Sequence, residues 1–478
     1  MAAYLDNSGT LLLLYRPNSK TLIYKSAIDL LRSGSHTRGP VYVKDIVGWY
    51  QRLRESAPHV LTDADIKIRS SGGINNINFT YVWHGWVREY RFISATALNM
   101  PDSLKVSDIL DYIETLRKAS GMYPYSIGAA AHRYFQIHAD LMPGAPMDPE
   151  DRALSRAAYF GGFCYLRPGV QEVRGGYVYD INKLYAYILR ELPLPIGAPY
   201  PYRGDVPEKS KGFYIHQFKC SARLRAGKLP FIRLVHDWSA KDGYQVEIND
   251  KILTLCKPDF ELFKQNYYIT RYEPIGGLDF FSCDYMFKLH VQETFDKISK
   301  TDRPGEIAAY KILINALYGQ YGRRDIVGRT VYRDGQFVWD DDFRKESKAY
   351  VPLAAAIASY GRSLIIPVAQ REGTNFIYSD TDSIHCFRES RYIKTSKDFG
   401  QFKLEEHFEH GRYFGRRKYV LLLSSHPERK KIVMAGLQSG ALDKVPYDEI
   451  LPGLKVPMVR KFLTADGSIE RVNMTYQI

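Results

Sequence analysis

The sequence predicts an α+β protein of about three domains, and three observations carry that prediction. Its 478 residues are about three times a usual domain length of ~150 residues. Apolar and polar residues alternate with the period of a strand over residues 213–248, and apolar runs flank a short polar tip at 376–385 as in a β-hairpin. Helical spacing governs residues 150–158, 258–267 and, as one dominant pattern, 296–322. Hydrophobic residues at 45% and charged residues at 25% are globular averages, which argues against a disordered tail, a collagen-like fibre or a coiled-coil rod.

No apolar run approaches the ~20 residues needed to cross a bilayer. Leu11 to Leu14 are followed at once by Tyr15 and Arg16, and the stretch 351–368 is interrupted by Arg362. With no secretory pattern at the start, the expectation is a cytoplasmic protein without a membrane partner, in the host cytoplasm if a virus encodes it. Lys and Arg number 66 against 53 Asp and Glu, and this surplus of 13 positive charges favours a polyanionic partner, nucleic acid first. The 37 tyrosines add faces on which bases could stack, although a large core also consumes aromatics. Five cysteines, odd in number and never in C-x-x-C spacing, are expected as reduced thiols.

Along the chain, Pro143, Pro146 and Pro149 form a turn-rich break that places a first domain boundary nearby. A second Pro/Gly cluster occupies residues 193–204. Asp340, Asp341 and Asp342, near Gly335, are expected at a solvated loop tip rather than at a cation site.

Three constellations carry chemistry. In the first, an alternating run ends at Asp180 and a helix-prone segment follows until Leu192 and Pro193, so Asp180 sits at a strand end. A carboxylate there can bind a metal, but Asp is also a common helix N-cap. In the second, Lys311, Asn315 and Tyr318 share one face of a helix that Gly319 and Gly322 end, with Leu313 and Leu317 on another. A cation, an amide and an aromatic presented together suit a nucleoside triphosphate, and they equally suit an ordinary amphipathic helix. In the third, the hairpin tip holds Asp380 and Asp382 two residues apart. Carboxylates so close repel each other unless a cation intervenes. If Asp180 approaches from the neighbouring strand, three acids surround a site for two divalent ions, the device of nucleotidyl transfer.

Their order and chemistry resemble motifs A, B and C of family B DNA polymerases: D-x-x-x-L-Y at 180–185, K-x-x-x-N-x-x-Y-G at 311–319 and Y-x-D-T-D-S at 378–383. The resemblance implies a right-hand polymerase with palm, fingers and thumb. It makes Asp180, Asp380 and Asp382 catalytic, with Asp180, Asp382 and the Ile181 carbonyl holding two Mg2+ ions for which Mn2+ can substitute. Lys311 becomes the triphosphate contact, Asn315 and Tyr318 shape the nascent pair, and Tyr185 becomes the steric gate against a ribose 2′-OH. Residues 212–278 and 321–348 look like the two terminal-protein regions of the protein-primed phage branch. Tyr159, Phe160, Gly161 and Gly162 resemble its Y-x-G-G motif, and residues 400–405 with Arg417, Lys418 and Tyr419 resemble the late palm segment ending in K-x-Y. DNA or primer contacts are thereby implied for Tyr159, Gly161, Gly162, Thr381, Arg417 and Tyr419. The implied partners are a DNA template-primer, dNTPs and a terminal protein primer, and the implied setting is viral or linear-plasmid DNA replication.

The layout so implied is an N-terminal degenerate RNase H-like exonuclease domain (1–158), palm (159–191), first terminal-protein region (192–286), fingers (287–320), second terminal-protein region (321–349), palm (350–445) and thumb (446–478). The N-terminal domain is read as degenerate because it contains no D-x-E, the segment from Asn75 to Phe79 is followed by Thr80, and Ala129 stands where Y-x-x-x-D has its acid. Motif A departs from the family at Lys183 and Ala186, and Arg417 replaces the Lys of K-x-Y. The rival readings are primer-independent initiation by the same palm and a non-catalytic nucleic-acid-binding scaffold. Reverse transcriptase is disfavoured because Thr381 separates the paired acids.

Overall fold

A computed structural model of the chain describes residues 64–478 except 71–73, 84–85, 102, 125, 139–142, 145–146, 235–242, 334–335, 346, 348, 426–428, 438–439 and 464–468. Before residue 64 it describes 2–5, 12–15, 22–24, 41–43, 46 and 49–50. The chain divides into two compact units. One gathers Met1–Asp140, Gln292–Lys348 and Val459–Asn473; the other gathers Leu141–Val291, Ala349–Met458 and Met474–Ile478.

The first unit contains a seven-stranded sheet of β1 (Ala2–Leu5), β2 (Leu12–Tyr15), β3 (Leu22–Tyr24), β4 (Val41–Val43), β5 (Ala64–Ser70), β6 (Ile74–Trp83) and β7 (Trp86–Ser94). The order is β3-β2-β1-β4-β7-β6-β5, with β4 parallel to both β1 and β7 and the other pairs antiparallel. This is the RNase H-like arrangement expected. Asn75 to Thr80 lie on β6, and Ala129 lies on α2 (Ile127–His138), which follows α1 (Val106–Ser120).

Residues 296–322, expected as one helix, form two. α6 (Lys288–Ser299) ends before Pro304, which opens α7 (Pro304–Tyr321) in its first turn. Proline is tolerated there, where its missing N–H has no intrahelical partner, but would clash within a continuous helix. α7 packs on α1 and α2. A Cβ at Gly305 would fall 2.0 Å from the Asp108 carbonyl oxygen, so only glycine permits this approach. Gly319 does not end the helix; Gly322 is its C-cap. The acids 340–342 are also displaced from their expected place: they lie within β15 (Gln336–Lys345), which pairs with β14 (Ile326–Arg333). Arg333 pairs with Gln336, and Asp340 sits opposite Arg329.

In the second unit, α3 (Pro149–Ala158) is capped by Asp148, which accepts the Asp151 amide at 2.9 Å. The central sheet has seven strands: β8 (Cys164–Leu166), β9 (Glu172–Ile181), β16 (Phe376–Asp380), β17 (Ser383–Cys386), β18 (Phe402–Gly415), β19 (Lys418–Leu423) and β20 (Lys430–Met434). Their order is β20-β19-β18-β9-β17-β16-β8. Between β9 and the next strand lies α4 (Leu184–Glu191). A four-stranded sheet, β10-β13-β11-β12, is built from β10 (Leu194–Arg203), β11 (Gly212–Leu224), β12 (Glu247–Cys256) and β13 (Tyr267–Cys283), with α5 (Lys257–Asn266) inserted before β13. α8 (Val351–Glu372) is long and apolar enough to cross a membrane by composition, but 72% of that window is buried inside the protein, as befits a core helix. It packs on α3, α4 and α5 and on β10, β16 and β17. The remaining strands are β21 (Lys455–Leu463) and β22 (Ile469–Gln477), a two-stranded pair. All five cysteines are free and buried, as expected of reduced thiols.

Candidate active site

β9 runs antiparallel to β17 and sets Asp180 opposite Ser383. β16 ends at Asp380 and β17 begins at Ser383, so the chain reverses over Thr381 and Asp382. Across Thr381 the Asp382 amide donates to the Asp380 carbonyl at 2.7 Å, and Thr381 has φ +62°. This is a γ-turn, rare and strained, around a β-branched residue. Its surroundings hold it: the Thr381 amide donates to the Phe163 carbonyl at 2.7 Å, its hydroxyl donates to Asp380 Oδ1 at 3.2 Å, and the Ile181 amide donates to the Asp382 carbonyl at 2.8 Å. Strand pairing thus brings Asp180 to the two acids of the turn. Asp180 is not a helix cap; that position in α4 belongs to Lys183, at φ +56° and with its ammonium 4.3 Å from the Phe399 ring.

The three carboxylates are compensated differently. Asp180 Oδ2 meets Lys403 Nζ at 3.1 Å, and Asp380 Oδ1 meets Arg417 Nε at 3.4 Å. Asp382 has no ion-pair partner among the described residues. Burial, and then the charge of Asp180, push the Asp382 carboxyl up to about 7. Burial also raises Asp180, against the opposing pull of Lys403. Tyr185, in the first turn of α4, is half-buried, and its phenol is pushed up to about 12 by burial and then by Asp382.

With Asp180 and Asp380 drawn to their cations, no three His, Cys, Asp or Glu side chains among the described residues converge as a ready metal cage. The donor set nevertheless fits hard divalent cations: partly buried carboxylates, among which Asp382 is raised by the charges of Asp180 and Asp380 and has no ion-pair partner among the described residues.

Around this centre, Gly162 stands against Thr381, while Gly161 is exposed. Tyr159 is the C-cap of α3. Arg417, at φ +54° in the turn between β18 and β19, donates its amide to the Tyr378 hydroxyl at 2.9 Å. Tyr419 is only 5% exposed, and its ring packs among Tyr378, His385 and Tyr413. Lys311 and Asn315 are exposed and Tyr318 partly so on α7, which belongs to the other unit; Leu313 and Leu317 are buried.

Sequence reasoning passed over three residues. Arg362 is 1% exposed, forms a two-pronged ion pair with Asp259 (2.9 and 2.6 Å), and donates to the carbonyls of Phe160 and Gly161 at 2.7 Å each. It therefore ties the Y-x-G-G segment to α8 and α5. Its signal was the charge interrupting an apolar run. Tyr378 and Lys403 carried none beyond their motifs, because their partners, Arg417 and Asp180, are remote in sequence.

The central sheet delivers three acids from adjacent strands to one turn. The model for DNA polymerase type B, organellar and viral, matches residues 121–399, a span containing all three constellations, and the chain belongs to that family. It is 28% identical over 367 residues to a DNA polymerase of Bacillus phage Nf, covering 70% of this chain and 63% of that protein. It is 27% identical over 293 residues to one of Streptococcus phage Cp-1, covering 58% and 51%. The chain thus spans between half and two thirds of the length of these relatives. Its fold is similar to that of Phi29 DNA polymerase complexed with primer-template DNA and incoming nucleotide, at a TM-score of 0.78 and 18% identity, over 98% of this chain and 96% of that one.

Proposed function

We propose that this protein is a template-directed DNA polymerase that adds dNTPs to a hydroxyl primer, starts on a terminal protein and displaces the strand ahead of it in replicating a viral or linear-plasmid genome. The observation that carries the reading is the convergence of Asp180, Asp380 and Asp382 at strand ends locked by the bond from Ile181 to Asp382. Asp180, Asp382 and the Ile181 carbonyl, assisted by Asp380, would hold two Mg2+ ions. When bound, such ions supply activation of the attacking hydroxyl and stabilisation of the pyrophosphate leaving group. Tyr185 sits beside Asp382 as a wall against a 2′-OH, and the motif match reads Lys311 and Asn315, exposed on α7, as the triphosphate and nascent-pair contacts. Arg417 and the Y-x-G-G segment flank the acids as primer and template contacts. The β14–β15 hairpin and the four-stranded sheet occupy the two regions assigned to the terminal protein.

Primer extension with Mg2+ on a defined template tests the polymerase; absence of template-directed incorporation would reject it. Priming is tested by incubating the protein with its replicon's candidate terminal protein, labelled dATP and Mg2+. Label that survives denaturation and disappears on proteolysis is expected, whereas label confined to free oligonucleotides would point to primer-independent initiation. No metal-dependent 3′→5′ exonuclease is expected, since neither Thr80 nor Ala129 supplies a carboxylate. Degradation of labelled single strands that is lost on mutating N-terminal acids would overturn that.

A further inference from the structure

Lys403 stands directly opposite Asp180 in the β9–β18 pairing, with its ammonium 3.1 Å from Oδ2. Its side chain is 43% exposed, whereas Asp180 is 16% exposed and fixed at a strand end. Of the two partners, only the lysine can leave at little cost: a flexible stem carries its charge, and water lies beside it. Its charge also acts on Asp382 and Glu405.

We propose that Lys403 is the resident counter-ion of Asp180 and competes with the divalent cation for this carboxylate, so that it positions Asp180 in the unloaded protein and sets the affinity with which the site takes up metal. This rests on the reading of Asp180 as a metal ligand. A divalent ion held at Asp180 would draw on the same carboxylate that Lys403 occupies. An ammonium hydrogen-bonded to the same carboxylate would then lie within a few ångströms of a dication, a repulsion that water beside the exposed lysine reduces but does not cancel at that range. Loading would therefore weaken the Lys403–Asp180 pair and favour an outward turn of the ammonium. Asp382 has no ion-pair partner of its own among the described residues, so the direct competition is at Asp180.

The test is Mn2+ binding to the full chain without DNA or nucleotide, read from the free-ion electron paramagnetic resonance signal, together with melting curves in EDTA and in Mn2+. Lys403→Met is expected to bind Mn2+ about tenfold more tightly than wild type. It should also melt lower in EDTA and gain more from Mn2+. Lys403→Arg, which keeps the charge, should stay near wild type. If Lys403→Met does not fold, Lys403→Gln keeps a hydrogen bond to Asp180 without the charge and should show the same tightening. Equal or weaker Mn2+ binding by the neutral variant overturns the proposal. Asp180→Asn separates the two readings: if wild type and Asp180→Asn bind Mn2+ alike, Asp180 holds no ion and the metal assignment itself fails.

Discussion

Gly162 and Thr381 touch so closely that no side chain fits between them: a Cβ on Gly162 would fall 2.8 Å from Thr381 Oγ1 and 2.9 Å from its Cγ2. Thr381 is the strained centre of the turn that aims Asp380 and Asp382, so Gly162 sets the space in which that turn is held. Gly162→Ala should lower single-turnover incorporation by roughly a hundredfold, the scale of a ~1 Å misplacement of reacting groups, while shifting the melting temperature little. Adding Thr381→Ser, which removes Cγ2, should recover part of the loss. A single variant with unchanged incorporation would show that the turn tolerates the displacement.

Asp180→Ala and Asp382→Ala should abolish incorporation but leave template binding, because the acids serve the reacting centre while the basic surface holds phosphates. Asp382→Asn should abolish incorporation too, yet melt higher than wild type in EDTA, since it removes a partly buried carboxylate with no counter-ion. Near wild-type extension by any of these would refute the metal assignment, and a lower melting temperature for Asp382→Asn would refute the electrostatic argument.

Tyr185→Val should admit ribonucleotides, reducing discrimination roughly tenfold or more, because a smaller side chain opens space beside the sugar C2′. Single-nucleotide incorporation of dNTP against rNTP measures this, and unchanged discrimination would move the gate to another residue.

His385 is fully buried beneath the turn, with Nδ1 2.8 Å from the Tyr413 hydroxyl and Nε2 unpartnered, and burial, with Lys431 second, pushes it down to about 3. An unfolded chain takes up this proton near pH 6.5, so between those values the unfolded state binds more protons and stability falls as pH drops, by ~1.4 kcal/mol per unit. Urea unfolding at pH 7 and pH 5 should show His385→Phe losing less stability than wild type over that interval, a difference that isolates His385 from the opposite contribution of Asp382, whose raised carboxyl gains stability as pH falls. An equal slope in the variant would mean that His385 is already protonated or accessible in the folded state.

The candidate groups were legible wherever their residues are local. Asp380 and Asp382 belong to one turn, and Lys311, Asn315 and Tyr318 to one helix face, so spacing alone groups them. Where an ordinary feature competed, punctuation misled: Gly319 looked like a helix stop but lies within α7, and the acids 340–342 looked like a loop tip but lie on a strand. In both cases tertiary pairing outweighed a local preference that is worth at most about 1 kcal/mol.

What the sequence alone determined is the identity and order of the chemical groups, because each motif is a short run whose period fixes which side chains share a face. What only the tertiary structure decided is how those groups are compensated. Lys403 meets Asp180 across 223 positions and Arg362 meets Asp259 across 103, while Arg417 and Tyr378 are joined through an amide and a hydroxyl. Such partners are chosen by strand register and helix packing, and since the energy of a charge depends on the few ångströms around it, the separation along the chain carries no record of the choice.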